Sequence, residues 1–315
     1  MTKSVLVYKG EELAGYGFGD SHPFGNDRHD VFQQELADAA LSNVEYGNPR
    51  RASVDELLLF HTAEHIDKVS RLSAAGRGWL DDGDTPAVPG IFEAASDVVG
   101  TTLAAVDAVI SGETKRAFVP IGGLHHAARN RAAGFCVFND CGVAAEYLRR
   151  RHGLRRIAYV DIDAHHGDGV FYGFEDDPDL VFADIHEDGR YLYPGTGAES
   201  ETGTGRARGT KLNIPVAPGA DDAQFRMAWR RVEAYLDQAR PEFFLFQCGA
   251  DSLEGDPITH LCYSEQAHAD AAATLCRLAD KHCEGRIVAM GGGGYNRRNL
   301  ARAWTRVVQA FSEAG

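Results

Sequence analysis

Cysteines are few in this chain, and none of them is spaced as a metal-binding or redox pair. The six stand at Cys136, Cys141, Cys248, Cys262, Cys276 and Cys283, without the CxxC spacing typical of structural zinc sites and thiol–disulfide enzymes. No signal peptide precedes them. A disulfide framework and a structural zinc site are therefore not expected, and a reducing cytoplasm is the predicted compartment.

Long apolar runs and an excess of positive charge are also lacking. No stretch approaches the roughly 20 apolar residues that a membrane-spanning helix needs, so no membrane partner is expected. Lys and Arg number 32 against 46 Asp and Glu, which gives a formal net charge of −14. Such a chain repels phosphate backbones, which argues against a nucleic-acid partner and mildly favours a cationic ligand.

Linkers and internal repeats are absent too, so residues 1–315 are predicted to form a single domain. Short apolar runs predict strands at 5–8, 116–120, 157–160, 180–183, 243–248 and 287–290. Helical periodicity begins at residue 30 and returns at 91–110, 139–151, 225–239, 267–282 and 298–311, and a capping box at 53–56 predicts another short helix. This alternation predicts an α/β fold with a central parallel sheet flanked by helices.

One polar stretch directly follows the strand predicted at 157–160. It reads Asp161-Ile162-Asp163-Ala164-His165-His166-Gly167-Asp168-Gly169. Carboxylates this close repel one another unless a cation or hydrogen bonds compensate them. If the backbone stays extended, Asp161, Asp163 and His165 share one face. Because Asp163 and His165 offer an oxygen and a nitrogen, we predict a divalent metal site rather than an acidic loop that caps the next helix.

A second pair of histidines stands at His61 and His65, four positions apart. On a helix this spacing can hold a metal, but no acidic residue accompanies the pair as in the HExxH motif. We therefore interpret them as surface or capping histidines.

The carboxyl ends of parallel strands are where α/β proteins bind ligands. Five predicted strands end in polar or Gly-rich segments that we expect to converge: His125-His126, 161–168, 184–186, Asp251 and 291–295. Asp163, His165 and Asp251 would leave a position open for water and substrate, as a catalytic metal requires. The glycines at 291–294 allow close backbone approach to the metal; a phosphate-binding nest is the alternative, although no Rossmann spacing surrounds them.

The other converging residues suit general acid–base chemistry at a carbonyl group that the metal would polarise. His125 and His126 can act as general base and acid, and Asp161 and Asp168 are available to fix their tautomers. Tyr295 can donate a hydrogen bond to the oxyanion of a tetrahedral intermediate. The sequence thus predicts a metal-dependent reaction at a carbonyl carbon that passes through a tetrahedral intermediate.

Together these motifs resemble the histone deacetylase family. The resemblance is carried by Gly122-Gly123-Leu124-His125-His126, Gly134-Phe135-Cys136, the stretch 161–169, Gly249-Ala250-Asp251 and 291–295, in the family's order. The segment Asp20-Ser21-His22-Pro23-Phe24 is similar to bacterial acetoin-utilisation-type members. The resemblance implies the arginase/deacetylase fold and zinc-dependent removal of acyl groups from amines.

The resemblance also implies a role for each catalytic residue. Asp163, His165 and Asp251 match the zinc ligands, His125 and His126 match tandem histidines paired with Asp161 and Asp168, and Tyr295 matches the transition-state tyrosine. Potassium is implied as a structural ion, and Asp184 stands where the inner potassium site often has Ser and uses its backbone carbonyl. Zinc and iron(II) both remain open as the catalytic metal, and the oligomeric state is undetermined.

The substrate path is implied in the same way. Asp84 matches a rim aspartate that holds the substrate backbone, and Gly134 and Phe135 match the substrate tunnel. Tyr193 matches a tunnel position where the family more often has Phe. Arg28 matches the arginine beside the acetate exit channel.

Three reactions compete for this site, besides a non-catalytic acyl-lysine binder. Ile258 offers apolar surface suited to a lysine stem, where polyamine-selective relatives carry an acidic residue. Asp84 can accept two backbone N–H bonds, which a peptide offers. We therefore favour acyl-lysine in proteins or peptides over acetylpolyamines or other small acylated amines. A binuclear manganese ureohydrolase would need a carboxylate where Gly167 stands, and a binder would be expected to lose Tyr295 or one of the paired histidines.

Overall fold

The computed structural model describes residues 5–19 and 21–314. Asp20 of the acetoin-utilisation-type segment lies outside the described residues, as do positions 1–4. Eight strands form one sheet in the order β2-β1-β3-β8-β7-β4-β5-β6, and all neighbouring pairs are parallel. Their bounds are β1 Val5–Tyr8, β2 Val44–Gly47, β3 Arg116–Val119, β4 Ile157–Asp161, β5 Leu180–Glu187, β6 Lys211–Val216, β7 Phe243–Gln247 and β8 Ile287–Met290. The predicted parallel α/β sheet is confirmed.

Helices connect the strands and cover the sheet. They are α1 Glu11–Ala14, α2 Arg28–Asp38, α3 Val54–Leu57, α4 Ala63–Ala75, α5 Ile91–Ile110, α6 Asp140–His152, α7 Asp168–Gly173, α8 Asp222–Ala239, α9 Glu265–His282 and α10 Arg297–Glu313. One group joins α2, α8, α9 and α10 by mutual packing, and another joins α4, α5 and α6. Among the described helices, none has the length and hydropathy needed to cross a membrane.

The helix signals in the sequence are visible as real caps. Ser53 and Glu56 form the predicted capping box at α3. Asn139 caps α6 by accepting a hydrogen bond from the Gly142 N–H, and Gly153 ends that helix in the left-handed conformation at φ 70°. α6 therefore spans Asp140–His152, one residue later at each end than the helix predicted at 139–151.

Two strands were not predicted, and each breaks the apolar pattern. β2 has four residues at one edge of the sheet, and its central side chains are exposed. β6, at the other edge, contains Pro215 and begins with the buried Lys211. The Lys211 ammonium donates hydrogen bonds to the carbonyls of Asp177 and Leu180, each at 2.8 Å. In a sequence a lysine is normally interpreted as an exposed residue. A strand that begins with a buried lysine is therefore not recognised from its hydrophobic pattern.

The interpretation of His61 and His65 as surface or capping residues was wrong. Both are buried, with exposed fractions of 3% and 1%. His65 Nε2 donates to the carbonyl of Val137 at 2.9 Å, and His61 Nε2 accepts from the N–H of Asn139 at 2.8 Å. Burial is tolerated because each ring finds a backbone partner.

Two local expectations also need correction. The fifth strand continues through Glu187, so the segment 184–186 lies within β5 rather than beyond it. β4 ends at Asp161, and the extended face predicted for Asp161, Asp163 and His165 does not persist. Instead Asp161 accepts the N–H of Asp163 at 3.0 Å, so the chain turns, and the two carboxylates take different partners.

Candidate active site

The site is built at the carboxyl ends of four neighbouring strands. β3, β8, β7 and β4 are consecutive in the sheet, so the segments that follow them meet. These segments carry His125-His126, Gly291–Tyr295, Asp251, and Asp163 with His165, respectively. Asp184 of β5 lies beneath them, where its Oδ2 accepts the N–H of Gly167 at 2.9 Å. The predicted convergence of the strand ends therefore occurs, and β5 contributes Asp184, a residue within the strand.

Asp163, His165 and Asp251 form a compact group that could hold a metal ion. Their ligand atoms all lie within 4.8 Å of one another, and the three side chains are buried. His165 Nδ1 stands 3.1 Å from Oδ1 of Asp163 and 3.2 Å from Oδ2 of Asp251. Two carboxylates and one imidazole are oxygen and nitrogen donors suited to a divalent transition metal.

The electrostatics of this group favour a bound cation. Burial raises the pKa of Asp251, and the charge of Asp163 brings it to about 7. Although burial alone lowers the pKa of His165, hydrogen bonds to Asp163 and Asp251 raise it to about 10. The carboxylates thus attract a positive charge to the place where their oxygens and the imidazole nitrogen meet, which is where a divalent metal would satisfy them.

The backbone at Gly249 and Gly293 packs directly against the carboxylates of Asp163 and Asp251. The Gly293 N–H donates to Oδ2 of Asp163 at 2.9 Å. A Cβ at Gly293 would lie 2.1 Å from Oδ2 of Asp251, and one at Gly249 would lie 2.0 Å from Oδ2 of Asp163. Glycine is required at both positions, and the cradle fits a compact ion held by oriented carboxylates.

The tandem histidines each pair with one carboxylate, as predicted. Nδ1 of His125 lies 2.8 Å from Oδ2 of Asp161, and Nδ1 of His126 lies 2.7 Å from Oδ1 of Asp168. With Nδ1 occupied in this way, both Nε2 atoms point toward each other at 3.1 Å. The carboxylates therefore fix the orientation of both rings, and the two Nε2 atoms face each other within hydrogen-bond distance.

The two pairs sit in different surroundings. Asp161 is fully buried and also accepts the hydroxyl of Tyr159 at 2.5 Å. The Asp168 side chain is 13% exposed. Burial, followed by the neighbouring His125, lowers the pKa of His126 to about 4, so its imidazole is neutral at physiological pH and can accept a proton.

Tyr295 and Arg28 lie together at the glycine segment 291–294. Burial raises the pKa of Tyr295 well above its usual range, so its hydroxyl stays protonated and can donate. Arg28 is fully buried and donates from Nε to the carbonyl of Gly294 at 2.9 Å and from Nη2 to that of Gly292 at 2.7 Å. Its guanidinium also lies 3.9 Å above the ring of Phe24. Arg28 thus braces the glycine segment that carries Tyr295.

A cavity of about 300 Å³ connects these groups to the surface. Its lining contains all of the residues predicted for substrate binding: Asp84, Gly134, Phe135, Tyr193 and Ile258. His126 and Tyr295 also line it. A Cβ at Gly134 would lie 2.5 Å from Cδ2 of His126, so this glycine lets the tunnel wall reach the histidine.

A model of the histone deacetylase domain matches residues 22–311 of this chain. The chain belongs to the histone deacetylase family. It is 39% identical over 321 residues to the acetoin utilization protein AcuC of Bacillus subtilis (strain 168), which covers 98% of this chain and 81% of that protein. AcuC of Staphylococcus xylosus is 31% identical over 310 residues, covering 95% and 80% respectively.

A solved structure gives the same result for the fold. The HD domain of HDA15 superposes with a TM-score of 0.91 at 27% identity, covering 99% of this chain and 89% of that one. The family and the arginase/deacetylase fold inferred from the motifs are therefore confirmed, and the chain is a deacetylase of this family.

Several residues that shape the site of this deacetylase were not predicted. Gln247, the last residue of β7, donates to Oδ2 of Asp163 at 2.9 Å and accepts the Gly249 N–H at 2.7 Å. Tyr16 donates to the carbonyl of Phe135 at 2.6 Å. A polar residue that ends an apolar strand is a signal that could have indicated Gln247. Tyr16 carries no such signal, because its partner is 119 positions away.

Proposed function

We propose that this deacetylase uses zinc to remove acetyl or other acyl groups from lysine side chains of proteins or peptides. The observation that supports this best is the cavity, whose lining contains Asp84, the apolar side chain of Ile258, and two members of the candidate metal group, Asp163 and His165. Apolar side chains in its lining, among them Phe135, Leu192 and Ile258, suit the methylene stem of an acylated lysine. Its inner end holds the groups that amide hydrolysis requires.

Asp163, His165 and Asp251 are the residues that would hold the ion. A bound zinc would acidify water and polarise the amide carbonyl. Iron(II) accepts the same oxygen and nitrogen donors, so metal analysis of the purified protein is part of the test.

Proton transfer and charge stabilisation fall to the chain's own residues. We assign the general base to the tandem histidines, with Nε2 of His126 well placed because Asp168 fixes its tautomer. The leaving amine would take a proton from the same pair. Tyr295 would donate its hydroxyl to the developing oxyanion, and Arg28 would receive the acetate product near the glycine segment.

Potassium is the second ion that the resemblance implies. The carboxylate of Asp184 has two partners, because Oδ1 lies 2.7 Å from His186 Nδ1 and Oδ2 accepts the Gly167 N–H. Burial, followed by the charge of Asp184, raises the pKa of Asp161. We therefore propose the backbone carbonyl of Asp184 as the potassium ligand, in a region where a monovalent cation relieves repulsion between carboxylates.

The competing readings have less support. Among the described residues, the Asp163–His165–Asp251 group is the single cluster suited to a metal, and Gly167 stands where a second metal would need a carboxylate. A non-catalytic binder has no use for two oriented histidine–carboxylate pairs. Deacylation of acetylpolyamines is the serious alternative, because it needs the same chemistry and differs in the tunnel.

Substrate choice is tested by a panel of acylated amines. We expect kcat/KM for acetyl-lysine peptides to exceed that for acetylputrescine and acetylspermidine. A long cation must be desolvated in the tunnel, and Ile258 offers it no compensating charge. Ile258→Glu should shift the ratio toward the polyamines by about tenfold or more, on the order of 1.4 kcal/mol. A wild-type preference for polyamines would overturn the lysine assignment.

The pH dependence of substrate binding tests the role of Asp84. Burial, followed by a hydrogen bond to Asp81, raises the pKa of Asp84 to about 7. The ionised carboxylate is the form that accepts peptide N–H groups, and it predominates above that pKa. KM for a peptide should therefore be about tenfold higher near pH 6 than near pH 8, relative to acetylputrescine, which has no peptide backbone. Asp84→Asn should remove this difference, and an unchanged difference in that variant would assign it to another group.

A further inference from the structure

The tandem histidines stand on a segment with no regular secondary structure. β3 ends at Val119, and residues 122–127 are neither helix nor strand. They are nevertheless buried, so their backbone groups must find partners elsewhere in the molecule. Gly292 and Gln247 donate to the carbonyls of Gly122 and Gly123, and four further backbone groups find side-chain partners at the start of α6, in Asn139 and Asp140.

Asp140 holds the segment on the N-terminal side of the histidines. Its Oδ1 accepts the N–H of Leu124 at 2.8 Å, and its Oδ2 accepts the N–H of Gly123 at 3.0 Å. The hydroxyl of Thr102 donates to the same Oδ2 at 2.7 Å. The carboxylate is fully buried, so it acts as a fixed acceptor for two consecutive amides.

Asn139 holds the segment on the other side. Its Nδ2 donates to the carbonyl of Ala127 at 2.8 Å and to that of His125 at 3.2 Å. Its Oδ1 meanwhile accepts the Gly142 N–H at 2.8 Å as the cap of α6. One amide group therefore joins the helix to both carbonyls that flank His126.

His61 fixes the backbone of Asn139. Its Nε2 accepts the Asn139 N–H at 2.8 Å, and its Nδ1 lies 3.3 Å from the carbonyl of Arg129. Burial, followed by the neighbouring His65, lowers the pKa of His61 to about 3. The ring is therefore neutral at working pH, and Nε2 stays an acceptor.

We propose that Asp140, and Asn139 oriented by His61, are positioning residues that hold the tandem histidines of this deacetylase at a fixed distance from the Asp163–His165–Asp251 group. The catalytic part rests on the proposed function of His125 and His126. Proton transfer depends on sub-ångström placement, so a segment tied on both sides keeps each Nε2 in place. None of the three residues lines the substrate cavity.

The alternative is that Asn139 merely caps a helix. Ser and Asp cap helices about as well as Asn, but neither carries the amide N–H₂ that donates to His125 and Ala127. Asn139→Ser therefore keeps the cap acceptor and removes the donors. Asn139→Asp also keeps the cap and turns a carboxylate toward two carbonyl oxygens, so it should have the larger effect.

The experiment compares these two variants with wild type and with Asp221→Ala, which removes the cap of α8 away from the site. Amide hydrogen exchange is followed in a peptide covering 121–131 and in one covering β7. For Asn139→Ser we expect at least tenfold faster exchange in the first peptide alone. We also expect a 10–100-fold lower kcat on an acetyl-lysine peptide, with KM within about twofold and zinc content unchanged. Asp221→Ala should change none of these.

Unchanged exchange at 121–131 would overturn the proposal, whatever the substrate. Faster exchange with full kcat would also overturn it, because the segment would then be loosened without consequence. If wild type turns over no acylated amine, the proposed function fails, and hydrogen exchange still decides whether Asn139 holds the segment. If Asn139→Asp folds poorly, Asn139→Ser is sufficient for the test, because serine introduces no charge that would repel the two carbonyl oxygens.

Discussion

Alanine in place of Asp163, His165 or Asp251 is expected to abolish both metal binding and turnover. Three protein ligands leave no redundancy, because each supplies one of the donor atoms that lie within 4.8 Å of one another. Removing one carboxylate also removes negative charge that offsets desolvation of the ion. We expect a loss of at least 10⁴ in kcat/KM, in line with loss of the Lewis acid.

The measurement is zinc content per chain, together with turnover on acetyl-lysine peptides. Asp97→Ala is the matched control, because Asp97 is a buried carboxylate paired with Arg51 at 2.7 Å and stands outside the site. It should lose stability while keeping one metal per chain. Retention of one tightly bound zinc in the Asp163, His165 or Asp251 variant would contradict the ligand assignment.

Much of this site could be predicted because the strands are parallel, and residues that follow neighbouring parallel strands lie close together. β3, β4, β7 and β8 are short apolar runs, each followed by polar or glycine residues. Once such strands lie side by side, their carboxyl ends share one edge. Residues 130 positions apart, such as Asp163 and Gly293, then come within hydrogen-bond distance. The carboxylates and imidazoles at this edge are then enough to suggest metal binding and proton transfer.

The sequence could not reveal the role of polar residues whose side chains bond to backbone groups far away in the chain. His61 looks like a surface residue until Asn139, 78 positions later, is seen to donate to its ring. Lys211 looks exposed in the sequence, but its ammonium donates to the carbonyls of Asp177 and Leu180, which lie 34 and 31 positions earlier. In both cases burial follows from tertiary hydrogen bonds, which local hydrophobic patterns do not record. The edge strand β6 was missed for the same reason.

Tyr295→Phe is expected to lower kcat by roughly 10²–10³-fold while the metal and the fold are retained. The change removes one hydroxyl that would donate to the oxyanion, and it leaves the ring contacts with Phe135 and Phe24, at 5.8 and 6.4 Å between centroids, in place. KM should change little, because the hydrogen bond strengthens as charge develops in the transition state. Tyr147→Phe, which removes a hydroxyl bonded to Asp107 outside the cavity, is the control and should leave kcat unaltered. Turnover, zinc content and thermal unfolding are measured on both variants, and a loss below about threefold for Tyr295→Phe would show that Tyr295 packs against the tunnel without stabilising the transition state.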